Sequence, residues 1–219
     1  MNFVGGIYYR SGHNPENSLY TPSPEHRQHH TQAGPHTLFF AQHPETVAST
    51  GGTDLFLTAD LVLYNIPELQ QLLSSPGTAK EKLVLQAYQK WGKDCLQYIK
   101  GDFSGAIWDN QKEALFCFRD RLGNVPFYYY SDEDIFIFSN KIQFITGYHK
   151  ATEINEDWIE SFVTQSPTDN ILTPYTHIKK LPPAHTFTIN KTSASLNKYW
   201  HMGNALQQPA INVAEAVKH

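Results

Sequence analysis

Tyr88-Gln89-Lys90-Trp91-Gly92, then Ile99-Lys100-Gly101-Asp102-Phe103-Ser104-Gly105-Ala106-Ile107-Trp108-Asp109, then Arg119-Asp120-Arg121-Leu122-Gly123-Asn124-Val125-Pro126-Phe127-Tyr128-Tyr129-Tyr130: this stretch decides the fold. It reads as a helix end followed by strands. Phe103–Asp109 and Ala114–Arg119 are short apolar, aromatic runs separated by polar Asn110, Gln111 and Lys112, the pattern of a tight antiparallel connection. Gly123 and Asn124 supply the positive-φ positions that a turn into a third strand, Pro126–Tyr130, needs, and a fourth follows at Asp134–Ser139. Four consecutive aromatic-rich strands predict an antiparallel sheet with at least one buried face.

Working outward, Phe3–Tyr9 reads as a first strand, weakened by Gly5 and Gly6 unless another backbone or a ligand passes close by. Ser11–Pro35 is polar and without periodicity, and is expected to be a loop. Its His26, His29 and His30, with His36 beyond, are not accompanied by Asp, Glu or Cys at ligand spacing, so no metal site is expected. Thr37–Gln42 and Asp54–Leu63 read as strands around a Gly51-Gly52 turn. Ser49-Thr50-Gly51-Gly52-Thr53-Asp54 resembles the phosphate loop of ATP pyrophosphatases, but such a cradle needs a helix after it, and Leu55-Phe56-Leu57-Thr58 is a strand pattern.

Helices are expected over Pro67–Leu73 and Ala79–Trp91, the latter with Leu83, Val84, Ala87, Tyr88 and Trp91 as a buried stripe. A further turn covers Asp94–Tyr98. Lys141–Tyr148 and Asn155–Thr164 are helical, with Asn155 as N-cap of the second. His185–Asn190 and Ser195–Trp200 form a closing hairpin, and Asn212-Val213-Ala214-Glu215 has the spacing of a capping box, as though a helix starts there, either in a frayed tail or where a further domain begins.

At 219 residues, 40% apolar and 17% charged, the chain can build one sizeable core with a tail. A net charge of −4 carries no electrostatic footprint for nucleic acid. No apolar run approaches bilayer-crossing length and Met1–Gly12 lacks a secretory pattern, so neither membrane nor secretion is expected and the location read is the cytoplasm. Cys95 and Cys117 are too few for a disulfide scaffold and are expected to be buried free thiols.

These runs together resemble the N-terminal glutaminase domain of the asparagine synthetase family, a class II glutamine amidotransferase of the N-terminal-nucleophile type. The resemblance is carried by Gly6-Ile7-Tyr8, Leu63-Tyr64-Asn65 with Glu68-Leu69, Ala87 to Gly92, Gly101 to Asp109, Arg119 to Gly123 with Pro126 to Tyr129, Phe138-Ser139, Ile178 to His185 and Tyr199-Trp200, all in family order. It implies an α+β fold: a four-layer αββα sandwich of two antiparallel sheets. Residues 1–203 would be the glutaminase-like domain, and 204–219 a tail or the start of a linker to an ATP-dependent synthetase domain.

In that family a Cys directly after the initiator Met attacks the glutamine amide, with the freed α-amino group, of pKa roughly 8, as base. The matching position here is Asn2, and a carboxamide is not a nucleophile. Where the family's oxyanion hole and amine-binding Asn-Gly-Glu stand, the register places Asp60, Leu61 and Val62. A carboxylate opposes the charge an oxyanion hole must stabilise. Leu61 resists backbone shapes open to Gly, and Val62 cannot pair with an ammonium. The family's Asp before Tyr88 aligns with Lys80, and like charges about 4 Å apart cost about 4 kcal/mol at an effective dielectric near 20. From Gln28 through Ala79 there is no Arg or Lys to hold a substrate carboxylate.

The resemblance thus implies a glutaminase-like domain without glutaminase activity, in an asparagine-synthetase-related ligase similar to β-lactam synthetases and lasso-peptide cyclases, whose substrates carry their own amine. ATP and Mg2+ would belong to the synthetase domain, in cis or in trans, with a peptide or small-molecule substrate. Arg119-Asp120-Arg121 would contact that domain or stand as a solvated turn. The alternatives are a binding module reusing the pocket for a small ligand or peptide, and a mutant glutamine-hydrolysing asparagine synthetase.

Overall fold

The computed structural model describes residues 2–11, 29–49, 54–166 and 171–205. Its strands are β1 (Val4–Tyr9), β2 (His29–Gly34), β3 (Thr37–Ala41), β4 (Val47–Ser49), β5 (Leu55–Leu63), β6 (Gly101–Asp109), β7 (Ala114–Arg119), β8 (Tyr128–Ser131), β9 (Ile135–Ser139), β10 (Lys179–Lys180), β11 (His185–Ile189) and β12 (Ala194–Lys198). The helices are α1 (Ile66–Leu72), α2 (Lys80–Trp91), α3 (Ile142–His149), α4 (Glu156–Val163) and α5 (Met202–Ala205), with a 3-10 turn over Gly92–Gln97. No described helix is long and apolar enough to cross a membrane. Residues 206–219, with the expected Asn212–Glu215 helix start, lie outside the described residues, as do His26 and positions 50–53 of the Gly-Gly turn.

The strands make two antiparallel six-stranded sheets, ordered β10-β8-β9-β1-β3-β2 and β12-β11-β7-β6-β5-β4. Alternation along each strand sorts the side chains into three apolar layers. Leu57, Ala59 and Leu61 of β5, with Phe103, Ile107, Phe116 and Phe118, pack beneath Val84, Leu85, Ala87 and Tyr88 of α2. Between the sheets lie Tyr8, Phe39, Ala106, Trp108, Leu115, Cys117, Phe136 and Phe138. Phe3, Ile7, Tyr9, Ile135 and Ile137 face Phe144 and Ile145 of α3. The result is the αββα sandwich the resemblance implies. Gly6 is required by this packing: a Cβ there would lie 2.5 Å from the Phe138 ring, so the close neighbour is a core aromatic of β9.

The four consecutive strands do not form one sheet. β6 and β7 pair in the second sheet, whereas β8 and β9 pair in the first. Likewise β3 joins β1 and β2, and the partner of β5 across positions 50–53 is the short β4. The expected Ser11–Pro35 loop ends in β2, whose polar residues pair with β3 and hide its strand character. The chain changes sheet between β7 and β8 through the Arg119–Val125 turn.

The Arg119 and Asp120 side chains of that turn are not solvated, because they are engaged inside the domain. The Asp120 carboxylate, 1% exposed, accepts the backbone N–H groups of Leu122, Gly123, Asn124 and Val125 at 2.6–3.0 Å. Arg119 is also buried and donates to the carbonyls of Val125 at 2.8 Å, Leu181 at 2.7 Å and Gly123 at 2.5 Å. Arg121, half-buried, donates to Gln97 O at 3.0 Å and stands 5.6 Å from the Trp200 ring. Gly123 takes the left-handed φ of +75° that lets the loop close on the carboxylate, while Asn124 stays at negative φ.

Cys95 lies beneath α2 and Cys117 between the sheets, both as free thiols. Burial pushes the Cys95 thiol up to about 12 and the Cys117 thiol well above its ordinary value. Two measurements follow from this architecture. Asp120→Ala removes the acceptor of four backbone donors and is expected to lower urea-unfolding stability by about 3–5 kcal/mol, and a loss under 1 kcal/mol would show that water replaces the carboxylate. Ellman's reagent at pH 8 should leave both thiols of the native protein unmodified and react with two on unfolding, since only the thiolate attacks.

Candidate functional site

Of the residues that the sequence marks as chemically decisive, Asn2 and Asp60 come together where β1 begins. Asn2 and Phe3 continue the line of β1 outward, and the end of β9 lies beside them through the Gly5–Ser139 pairing. Asn140, the residue after β9, fixes this terminus. Its backbone N–H donates to Val4 O at 3.1 Å, and its Oδ1 accepts the Val4 N–H at 3.1 Å. Its Nδ2 donates to the Asn2 carbonyl at 2.5 Å and reaches Asp60 Oδ2 at 3.4 Å. Ser139 Oγ donates to Val4 O at 2.9 Å and accepts the Lys141 N–H at 3.0 Å.

Asp60 sits on β5 opposite Ser104, on the face that looks between the sheets, and is 6% exposed. Among the described residues its carboxylate meets only the long Asn140 amide contact, which compensates burial poorly. Val62 shares that face but lies at the rim, 55% exposed. Leu61, expected among the pocket residues, points the opposite way: period-2 alternation puts its side chain in the core beneath α2. What Leu61 presents is its carbonyl, which accepts from Lys80 Nζ at 2.7 Å. Lys80, at the start of α2, also lies 3.8 Å from Glu81 Oε1, so its ammonium is engaged by the strand edge and a carboxylate.

Thus Asn2 and Asp60 are brought together, Val62 borders them, Lys80 caps the strand edge, and the side chain of Leu61 is elsewhere. Asn140 was not legible as a site residue: a lone Asn after an apolar strand gives no signal that it staples a terminus 138 positions away. The serine hydroxyls described beside this group are engaged, and the thiols lie elsewhere in the core. Ser104 Oγ donates to Pro126 O at 2.8 Å, Ser139 Oγ to Val4 O, and the two thiols are buried with raised pKa. Among the described residues no three His, Cys, Asp or Glu side chains gather as a metal site.

Comparison with known proteins matches residues 49–200 to the glutamine amidotransferase domain family. The chain is 31% identical over 150 residues to the glutamine-hydrolysing asparagine synthetase 3 of Bacillus subtilis, covering 64% of this chain and 24% of that protein. It is 30% identical over 154 residues to a putative glutamine-hydrolysing asparagine synthetase 2 of Methanocaldococcus jannaschii, covering 68% and 30%. The chain therefore spans under a third of these relatives' length. Among solved structures, the glutamine phosphoribosylpyrophosphate amidotransferase of Bacillus subtilis shares the fold, with a TM-score of 0.51 at 13% identity over 90% of this chain and 43% of that one. An allosteric regulatory enzyme of purine biosynthesis does so with a TM-score of 0.53 at 12% identity, over 91% and 43%.

The Asn140 staple and the Asp60 carboxylate can be separated experimentally. Asp60→Asn removes a poorly paired buried charge and should leave thermal stability unchanged or raise Tm. Asn140→Asp sets a second carboxylate beside Asp60 and should cost about 4 kcal/mol in chemical unfolding at neutral pH. Equal, mild effects from both would show that Asp60 is solvated.

Proposed function

Because the chain belongs to the class II glutamine amidotransferase domain family, we propose that it is the glutaminase-like part of an asparagine-synthetase-related, ATP-dependent, amide-forming ligase, and that it releases no ammonia itself. The observation that carries this reading is the convergence of Asn2 and Asp60 on the amide of Asn140 at the start of β1. The carboxamide nitrogen of Asn2 is delocalised into its carbonyl and cannot attack an acyl carbon. The buried Asp60 carboxylate next to it disfavours negative charge on any tetrahedral oxygen formed there.

A ligase whose substrate brings its own amine has no need of ammonia, so ring closure of a peptide or small molecule is the amide-forming reaction that fits an inert position 2. ATP with Mg2+ would be held by a synthetase domain and would activate the carboxylate partner. The share of this chain is to brace that domain, with the Asp120 turn, the Asn140 staple and the three apolar layers supplying a rigid body.

The test is ammonia release from glutamine by the purified protein, read by a coupled assay. No release above a heat-denatured control is expected. Asn2→Cys should remain inactive, since Asp60 still faces the site. Turnover by wild type, or recovery with that single change, would overturn the reading.

A further inference from the structure

We infer that the outward face of α4 is a docking site for a basic, amphipathic helical segment of another chain, a role that does not depend on the function proposed above. α4 has eight residues, none of them buried. A helix that short is not stable by its own hydrogen bonds and is normally kept by burying an apolar face. Here that face is open: Ile159, Phe162 and Val163 are 42%, 67% and 73% exposed, with Ile154 just before the helix at 52%. What fixes α4 is its start. Asn155 Oδ1 accepts the Trp158 N–H at 3.1 Å, the Asn155 N–H donates to Pro174 O at 2.9 Å, and His177 Nε2 lies 3.0 Å from Glu153 Oε2. Phe162 is stacked on Trp158 with 5.1 Å between ring centroids. Exposed apolar groups rimmed by polar ones mark interaction surfaces, and groups already ordered lose little entropy on binding.

The charges beside that face say what covers it. Residues 151–166 carry Glu153, Glu156, Asp157 and Glu160 and neither Arg nor Lys. Glu156 and Glu160, one turn apart and both exposed, form a row beside the row of Ile159 and Val163, and the two rows line one open hollow together with Asp157 and Thr164. The helix dipole accounts for acidic residues in the first turn, Glu156 and Asp157, but not for Glu160 in the second. An occupant must therefore set cations next to apolar side chains, which is what a basic amphipathic helix laid along α4 presents. A second copy of this chain is disfavoured, because pairing α4 with itself brings two carboxylate rows into one interface. An anionic lipid surface is disfavoured for the same reason.

The test uses the 219-residue chain and a fluorescein-labelled peptide of about 18 lysines and leucines, with the leucines at i, i+3, i+4 and i+7, against a copy with glutamate in place of lysine. Anisotropy at low salt should give a Kd below about 100 μM for the lysine peptide and none measurable for the glutamate copy. Glu156→Lys with Glu160→Lys should weaken binding about tenfold, and Phe162→Ser with Val163→Ser about fivefold, all at exposed positions that leave the fold intact. Hydrogen exchange of residues 156–163 should slow about tenfold with the peptide bound, and that of β6 should not change. Absence of binding up to about 1 mM, equal binding of the glutamate copy, indifference to these substitutions, or protection elsewhere than 156–163 overturns the inference. So does a dimer in sedimentation equilibrium that Phe162→Ser abolishes, which gives the face to a second copy. Protection of 156–163 by phosphatidylcholine vesicles, which gives it to a bilayer, or by a segment that the gene encodes beyond His219, overturns it as well.

Discussion

One carboxylate holds this fold in its two-sheet form. Asp120 gathers four consecutive backbone N–H groups, and Arg119 beside it gathers three carbonyls, so a turn with nothing regular in it is held by hydrogen bonds to two buried side chains. Charge-assisted bonds of this kind are the stronger ones. Without them, β7 would have no reason to hand the chain across to β8 in the other sheet, and the aromatic layer between the sheets would lose the connection that aligns its two halves. The same turn is held from below by Tyr199 and from the side by Leu181, so the last strand pair, the sheet crossing and the chain exit are one mechanical unit.

The start of β1 depends on a second, smaller device. Asn140 uses both atoms of its amide: the oxygen takes the Val4 N–H, the nitrogen spans the Asn2 carbonyl and Asp60. An amide suits this place because it both donates and accepts, which a carboxylate or a hydrocarbon cannot do. Asp60 is the costly member, a carboxylate inside the sandwich that among the described residues meets only the long Asn140 amide contact.

Much of the scaffold was legible from local pattern. The α2 stripe, the β6 and β7 runs and the closing hairpin were set by periodicity, and the Asn155 cap by chemistry: its side chain accepts the Trp158 N–H at 3.1 Å, as the residue type and the acidic first turn suggest. What misled was adjacency. Strands next to each other in sequence usually pair, yet β7 and β8 do not, and β3 and β5 do not. The β2 strand was missed because its six residues, His-His-Thr-Gln-Ala-Gly, lack an apolar alternation and owe their form to β3. At the site, Asp60, Leu61 and Val62 were adjacent letters, but in a strand adjacent letters face opposite ways, which sends Leu61 into the core.

The sequence by itself determined most of the helices and strands, the buried stripe of α2 and the chemical character of position 2, because those follow from side-chain identity and from the 2- and 3.6-residue periods of the backbone. Only the tertiary structure decided which strands share a sheet, that Arg119 and Asp120 are spent inside the domain, and that Asn140 joins Asn2 to Asp60. Those outcomes rest on contacts between residues far apart along the chain, where the direction of a buried donor or acceptor counts and no local pattern records it.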